Sequence, residues 1–138
     1  MKRALGIRTV VDLPFAEALN RTRTALPAEG FGVITEIDVR KTLKEKLNID
    51  KAPYVILGAC NPQLAHRALS ADPEVGLLLP CNVIVYEISG GRTVIEAVDP
   101  MSMLGLMGDK KEIQAVAADA RLRLGRVVDS VAAANVHA

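Results

Sequence analysis

From Ile113 to Val131 the apolar residues Ile113, Val116, Ala117, Ala120, Leu124, Val127, Val128 and Val131 recur at helical spacing. That is one continuous stripe on a long helix. Arg121, Arg123 and Arg126 lie off it and read as a solvated back face or as an anion site. Asp109 stands where a capping acceptor would open this helix. A helix with so long an apolar stripe must be covered by a comparably large apolar surface. The rest of the chain offers that surface as strands.

Phe31 to Val39 is the clearest strand. Its period of two puts Phe31, Val33, Thr35, Ile37 and Val39 on one face and Gly32, Ile34, Glu36 and Asp38 on the other. Leu5 to Val11 reads as an earlier strand. Between the two, Asp12 and Pro14 are placed to open a helix with the stripe Phe15, Ala18, Leu19, Thr22 and Leu26, which Pro27 and Gly30 end. A short amphipathic helix carries Leu43 and Leu47. Pro53 to Ala59 lacks polar alternation and reads as a strand buried on both faces. Cys60-Asn61-Pro62 then turns into a helix bearing Leu64, Ala65, Ala68 and Leu69. Val83 to Ile88, Gly90-Gly91 and Thr93 to Val98 form a hairpin pattern, closed by Asp99-Pro100. Met101 to Gly108 holds three of the four methionines and two glycines and reads as a flexible apolar segment. Hairpin-linked strands under a long helix mean an α+β architecture with a mainly antiparallel sheet, in one domain over 1–138.

Composition narrows the function classes. Half of the 138 residues are apolar and mean hydropathy is +0.23, so a core of ordinary size forms without disulfides. Aromatic content is 3%, which leaves Val, Ile, Leu, Ala and Met to fill that core and too few rings to stack single-stranded nucleic acid. Seventeen Lys and Arg face 16 Asp and Glu, dispersed, for a net charge of +1, so no nucleic-acid footprint is expected. The longest uncharged run, Val75 to Val85, is broken by Gly76, Pro80 and Asn82 and falls short of a membrane span. Arg8 and Asp12 interrupt what would follow Met1-Lys2-Arg3 in a signal peptide. A cytoplasmic location with reduced thiols is therefore expected, and no membrane partner.

Two cysteines are present, Cys60 and Cys81, each followed by asparagine. Asn61 suits a helix N-cap and Pro62 a first helical position, so the Cys60 thiol stands beside a helix N-terminus. There orphan amides and the helix dipole favour a thiolate. The alternative is that Cys60 is a small packing residue. Cys81 and Asn82 follow Pro80 at a strand entrance. Two Cys-Asn turns at strand edges would make two rims of one pocket, suited to a redox disulfide, a sulfur carrier or a soft metal. Their spacing is unlike a Cys-x-x-Cys site. His66 in a helix and His137 in the tail complete no zinc tetrad, so no metal is assigned. Glu36 and Asp38 stand two apart on one strand face, either as paired carboxylates for acid–base work or as a solvated edge with Asp38 capping the next helix. Met101, Met103 and Met107 read as packing or subunit contact. No phosphate cradle, dinucleotide motif or hydrolase triad is present, and no cofactor is expected.

Several of these strings also occur together in a known family. Gly30-Phe31-Gly32-Val33, Glu36-Ile37-Asp38-Val39, Leu43-Lys44-Glu45-Lys46-Leu47, Ile56-Leu57-Gly58-Ala59-Cys60-Asn61-Pro62, Leu78-Leu79-Pro80-Cys81-Asn82-Val83 and Asp99-Pro100 make the chain resemble domain-of-unknown-function family 302. Asn48 departs from the glycine more usual there, yet asparagine also tolerates a left-handed helix end. The resemblance implies a TATA-binding-protein-like core, β-α-β-β-β-β-α, with a curved antiparallel sheet gripped by the long C-terminal helix. It also suggests homodimers. It brings no reaction, and kinship of fold does not transfer DNA binding.

The expectation is a small protein with a pocket near Cys60, Asn61, Cys81, Asn82, Glu36 and Asp38. That pocket would bind a small molecule or handle thiol or sulfur chemistry, with Cys60 the more reactive sulfur. The alternative is a non-catalytic homodimeric module with structural cysteines and a contact surface at Met101 to Met107.

Overall fold

A computed structural model describes residues 5–134. Five strands form one antiparallel sheet: β1 (Gly6–Val11), β2 (Gly32–Asp38), β3 (Tyr54–Cys60), β4 (Cys81–Ile88) and β5 (Arg92–Val98). Their spatial order is β1-β5-β4-β3-β2, and the sheet is curved. The helices are α1 (Phe15–Ala28), α2 (Val39–Leu47), α3 (Pro62–Ala71), α4 (Pro100–Leu104) and α5 (Lys111–Ala133). Gly90 and Gly91, at φ +80 and +71, turn β4 into β5, in a backbone region that side-chain-bearing residues rarely adopt.

All eight residues of the α5 stripe are buried. They pack with α1, α3, β1 and β5, and each fully buried aliphatic side chain contributes about 1.5–3 kcal/mol relative to exposure. The sheet rows facing this layer include Ile7–Ala97–Val83–Leu57 and Thr9–Ile95–Val85–Val55, all but the two β1 residues buried. The opposite face is more open. There Tyr86 and Tyr54 stack at 5.1 Å, Ile84 and Ile56 are half-buried, and Ile37 is exposed. Pro53 to Ala59 is thus not buried on both faces, since Tyr54 and Ile56 on its outer side are only half-buried.

Three further expectations change. The period of two in Phe31 to Val39 breaks at a β-bulge: Val33 pairs with Ala59 and Thr35 with Gly58, which leaves Ile34 as the extra residue. Val33 therefore shares the helix-side face with Glu36 and Asp38, while Thr35 and Ile37 turn outward. Helix starts also differ. α5 has Lys110, not Asp109, at its N-cap, and α1 has Pro14 there, neither with a side-chain cap bond. Pro27 sits inside the last turn of α1, and the chain leaves at Gly30 with φ +84. Finally, Met101 to Gly108 is folded: Asp99 caps α4 through the Met101 N–H at 2.9 Å, and Leu104 is buried. His137 lies outside the described residues.

Candidate functional site: a cavity at the head of the third helix

β3 ends at Cys60 and Asn61 starts α3. The Leu64 N–H donates to Asn61 Oδ1 at 3.2 Å, and Pro62 takes the first helical position, where a missing N–H costs nothing. On the neighbouring strand Cys81 pairs with Ala59, so the two cysteines are diagonal neighbours across the β3–β4 ladder. Both are free thiols, Cys81 buried and Cys60 half-buried. A cavity of about 250 Å³ has Cys60, Asn61 and Cys81 all in its wall.

The rest of the wall comes mainly from five places. The β2 bulge supplies Ile34, the segment before β4 supplies Leu79 and Pro80, and α3 supplies Leu64, Ala65, Ala68 and Leu69. Leu104 of α4 and Val116 and Ala120 of α5 help close the far side. Four of the lining residues, Ala59, Ala65, Ala68 and Ala120, are alanines, whose short side chains leave room. Ion pairs Arg67–Glu112 (2.9 Å) and Lys110–Asp72 tie α3 and the turn after it to the start of α5. These bonds hold the Asp72 and Glu112 carboxyls below their ordinary range, in each case mainly through the cation's hydrogen bond.

Among the described residues, no Asp, Glu, Lys, Arg or His lines the cavity. Burial first, and the nearby Cys60 charge second, push the Cys81 thiol up from 9.0 to about 11. Cys81 therefore stays protonated at neutral pH and behaves as a small apolar residue. That leaves Cys60 as the sulfur with access. Asn61 is 8% exposed, and its oxygen is held by the helix cap. Gly30 passes its amide so closely that a Cβ there would stand 2.9 Å from Nδ2. Chemically, the arrangement offers an apolar chamber with one accessible thiol, one buried thiol and one side-chain amide.

The sequence-derived site divides. Cys60, Asn61 and Cys81 come together. Asn82 points away on β4 and is exposed. Glu36 is ion-paired with Arg23 of α1, and Asp38 accepts from the Lys41 N–H at 2.9 Å as the α2 cap. Glu36 and Asp38 share a strand face, but neither lines the cavity. The three arginines of α5 are also engaged, Arg121 with Asp99, Arg123 with Asp119 and the Glu29 carbonyl, and Arg126 with Glu29. Among the described residues no group of three or more His, Cys, Asp or Glu side chains is placed to hold a metal. No helix among them is long and apolar enough to cross a membrane. Sequence reasoning missed Ile34, whose role depends on the bulge. It also passed over the small residues of α3, although alanine recurring where a stripe should carry larger side chains is a readable sign of space.

No curated protein matches the chain. Among solved structures it is similar to the crystal structure of an uncharacterized conserved DUF302 protein from Bacillus stearothermophilus. Identity is 34% and the TM-score 0.84, over 94% of this chain and 99% of that one. The family model for the domain of unknown function DUF302 matches residues 7–131, and the chain belongs to that family.

Proposed function

We propose that the chain binds a small molecule in the cavity at the head of α3 and meets it with the Cys60 thiol. The observation that carries this reading is that Cys60, Asn61 and Cys81, from two separate turns, line one apolar space of about 250 Å³. An engineered apolar cavity of roughly 150 Å³ in another protein holds benzene, so this volume suits a compact ligand. Cys81 is kept as a neutral thiol by burial, which leaves the half-buried Cys60 as the sulfur that meets the ligand. The reading covers reversible binding and thiol or sulfur handling at Cys60.

Alkylation followed by intact mass from pH 6 to 8 tests it. Modification of Cys60 alone, faster than free cysteine at pH 7 and absent in Cys60→Ser, is the expected result. Modification no faster than free cysteine removes the thiol chemistry. Equal labelling of Cys81 contradicts the division of roles between the two sulfurs.

A second reading, a homodimeric module with structural cysteines, is favoured by a separate observation. No residue of α2 is buried, and Ile37, Leu47 and Ile49 beside it are about half exposed or more. These exposed apolar residues, with the open sheet face around Tyr54 and Tyr86, are what a second copy of the chain would cover in this reading. Met101 and Leu106, in the segment that this reading uses as a contact surface, are also exposed, 44% and 78%.

A further inference from the structure

We infer that the ligand of the cavity is a small amphiphile with a single polar end, which inserts its apolar end into the chamber and keeps the polar end at the mouth beside Cys60. This rests on the reading of the cavity as a ligand site. It names the class of molecule and the direction in which it enters.

Three observations lead there. First, the chamber is apolar at depth. Leu104 of α4 and Val116 and Ala120 of α5 are buried wall residues. Asn61 in the same wall commits its Oδ1 to the Leu64 N–H, and burial keeps Cys81 a neutral thiol. Among the described residues no buried side-chain nitrogen or oxygen lacks a hydrogen-bond partner. A polar group carried to that depth therefore sheds its water and gains little in exchange. Second, other parts of the wall reach solvent: Ile34 is 60% exposed, Leu69 is 42% exposed and Cys60 is half-buried. A polar end held there keeps its water, while the apolar part behind it is covered. Third, scaling from benzene in roughly 150 Å³, the volume admits about ten non-hydrogen atoms, the size of a medium-length alkyl chain.

Two probes of one chain length separate the ends: n-octanol, and the octanediol that bears a hydroxyl at each end. Titration of the full chain by heteronuclear NMR reads their affinities, and intermolecular NOEs read their direction. Octanol should bind at least about tenfold more tightly than the diol, because a second hydroxyl would have to leave water without a partner. Its terminal methyl should show NOEs to Leu104 and Val116, and its hydroxyl-bearing methylene to Ile34. From n-butanol through n-hexanol to n-octanol, affinity should rise about fourfold per methylene. Ala65→Leu, which fills part of the chamber, should weaken octanol by about tenfold, the loss of one or two buried methylenes. Equal affinity of octanol and the diol, a series with no dependence on chain length, or NOEs from the hydroxyl-bearing methylene to Leu104 and Val116 would each overturn the inference while leaving the cavity reading intact. Failure of every probe to bind at these walls overturns the inference and the ligand-site reading together.

Discussion

Cys81 is the residue whose chemistry the fold alters most measurably. Its thiol titrates near 11 in the folded chain, against 9.0 ordinarily, because burial penalises the thiolate. The folded value is the higher one, so the neutral thiol favours the native state. This contribution is fully present below pH 9 and is lost as pH rises from 9 to 11. Its size is roughly 3 kcal/mol. Urea midpoints across that window should fall more steeply for wild type than for Cys81→Ala; parallel curves would show that Cys81 does not titrate with unfolding. Gly30 is a second residue with a definite structural demand. It sits at φ +84, and a Cβ there would approach Asn61 Nδ2 to 2.9 Å. Gly30→Ala should lower stability by about 1–3 kcal/mol, the range for a strained left-handed residue, measured by denaturant unfolding. It should also shift the NMR signals of Asn61.

Among elements, α3 matters most to the cavity because it supplies four wall residues, Leu64, Ala65, Ala68 and Leu69. Asn61→Ala removes the acceptor for the Leu64 N–H and should cost about 1 kcal/mol. Asn61→Ser should recover most of that loss in the same unfolding assay. A loss equal in both variants would mean that the cap contributes little. This cap was legible in the sequence, as was Asp38 capping α2, because Asn-Pro and Asp ahead of a helical stripe carry their own mechanism. Asn48, at φ +53, ends α2 as its residue type permits. The α5 stripe was legible residue by residue, since eight apolar positions at one period admit a single buried face. The bulge at Ile34 was not. Val33, Ile34 and Thr35 are all good strand residues, so nothing local says which of them will be left unpaired. That choice is made by the pairing of β2 with β3. Yet the bulge brings Ile34 to the cavity and moves Thr35 to the opposite face, beside Gly58, where a Cβ would lie 2.1 Å from Thr35 Oγ1. The split of the six candidate residues has the same origin. Residue type placed Glu36 and Asp38 near chemistry, while topology gave them Arg23 and the α2 amides instead.

For the whole molecule, the helix layer covers one face of the sheet and leaves the other to solvent or to a partner. A second copy over the open face is the occupant the dimer reading requires. Sedimentation equilibrium at micromolar concentration should then give twice the chain mass for wild type and the monomer mass for Ile37→Asp. Ile37 is 49% exposed, so this substitution should barely change the unfolding midpoint of the monomer. A monomeric wild type would remove the dimer reading and leave the cavity untouched, since its wall is built within one chain.

The central claim is that the two cysteine-bearing turns enclose a real, apolar, ligand-sized space. Xenon enters such cavities in preference to water, so diffraction from crystals held under xenon pressure addresses it directly. A xenon atom is expected between α3 and the ends of β3 and β4, in contact with the walls that carry Cys60 and Cys81, and absent from Ala65→Leu. Wild-type crystals with no xenon at that position, or with ordered water filling it, would contradict the account.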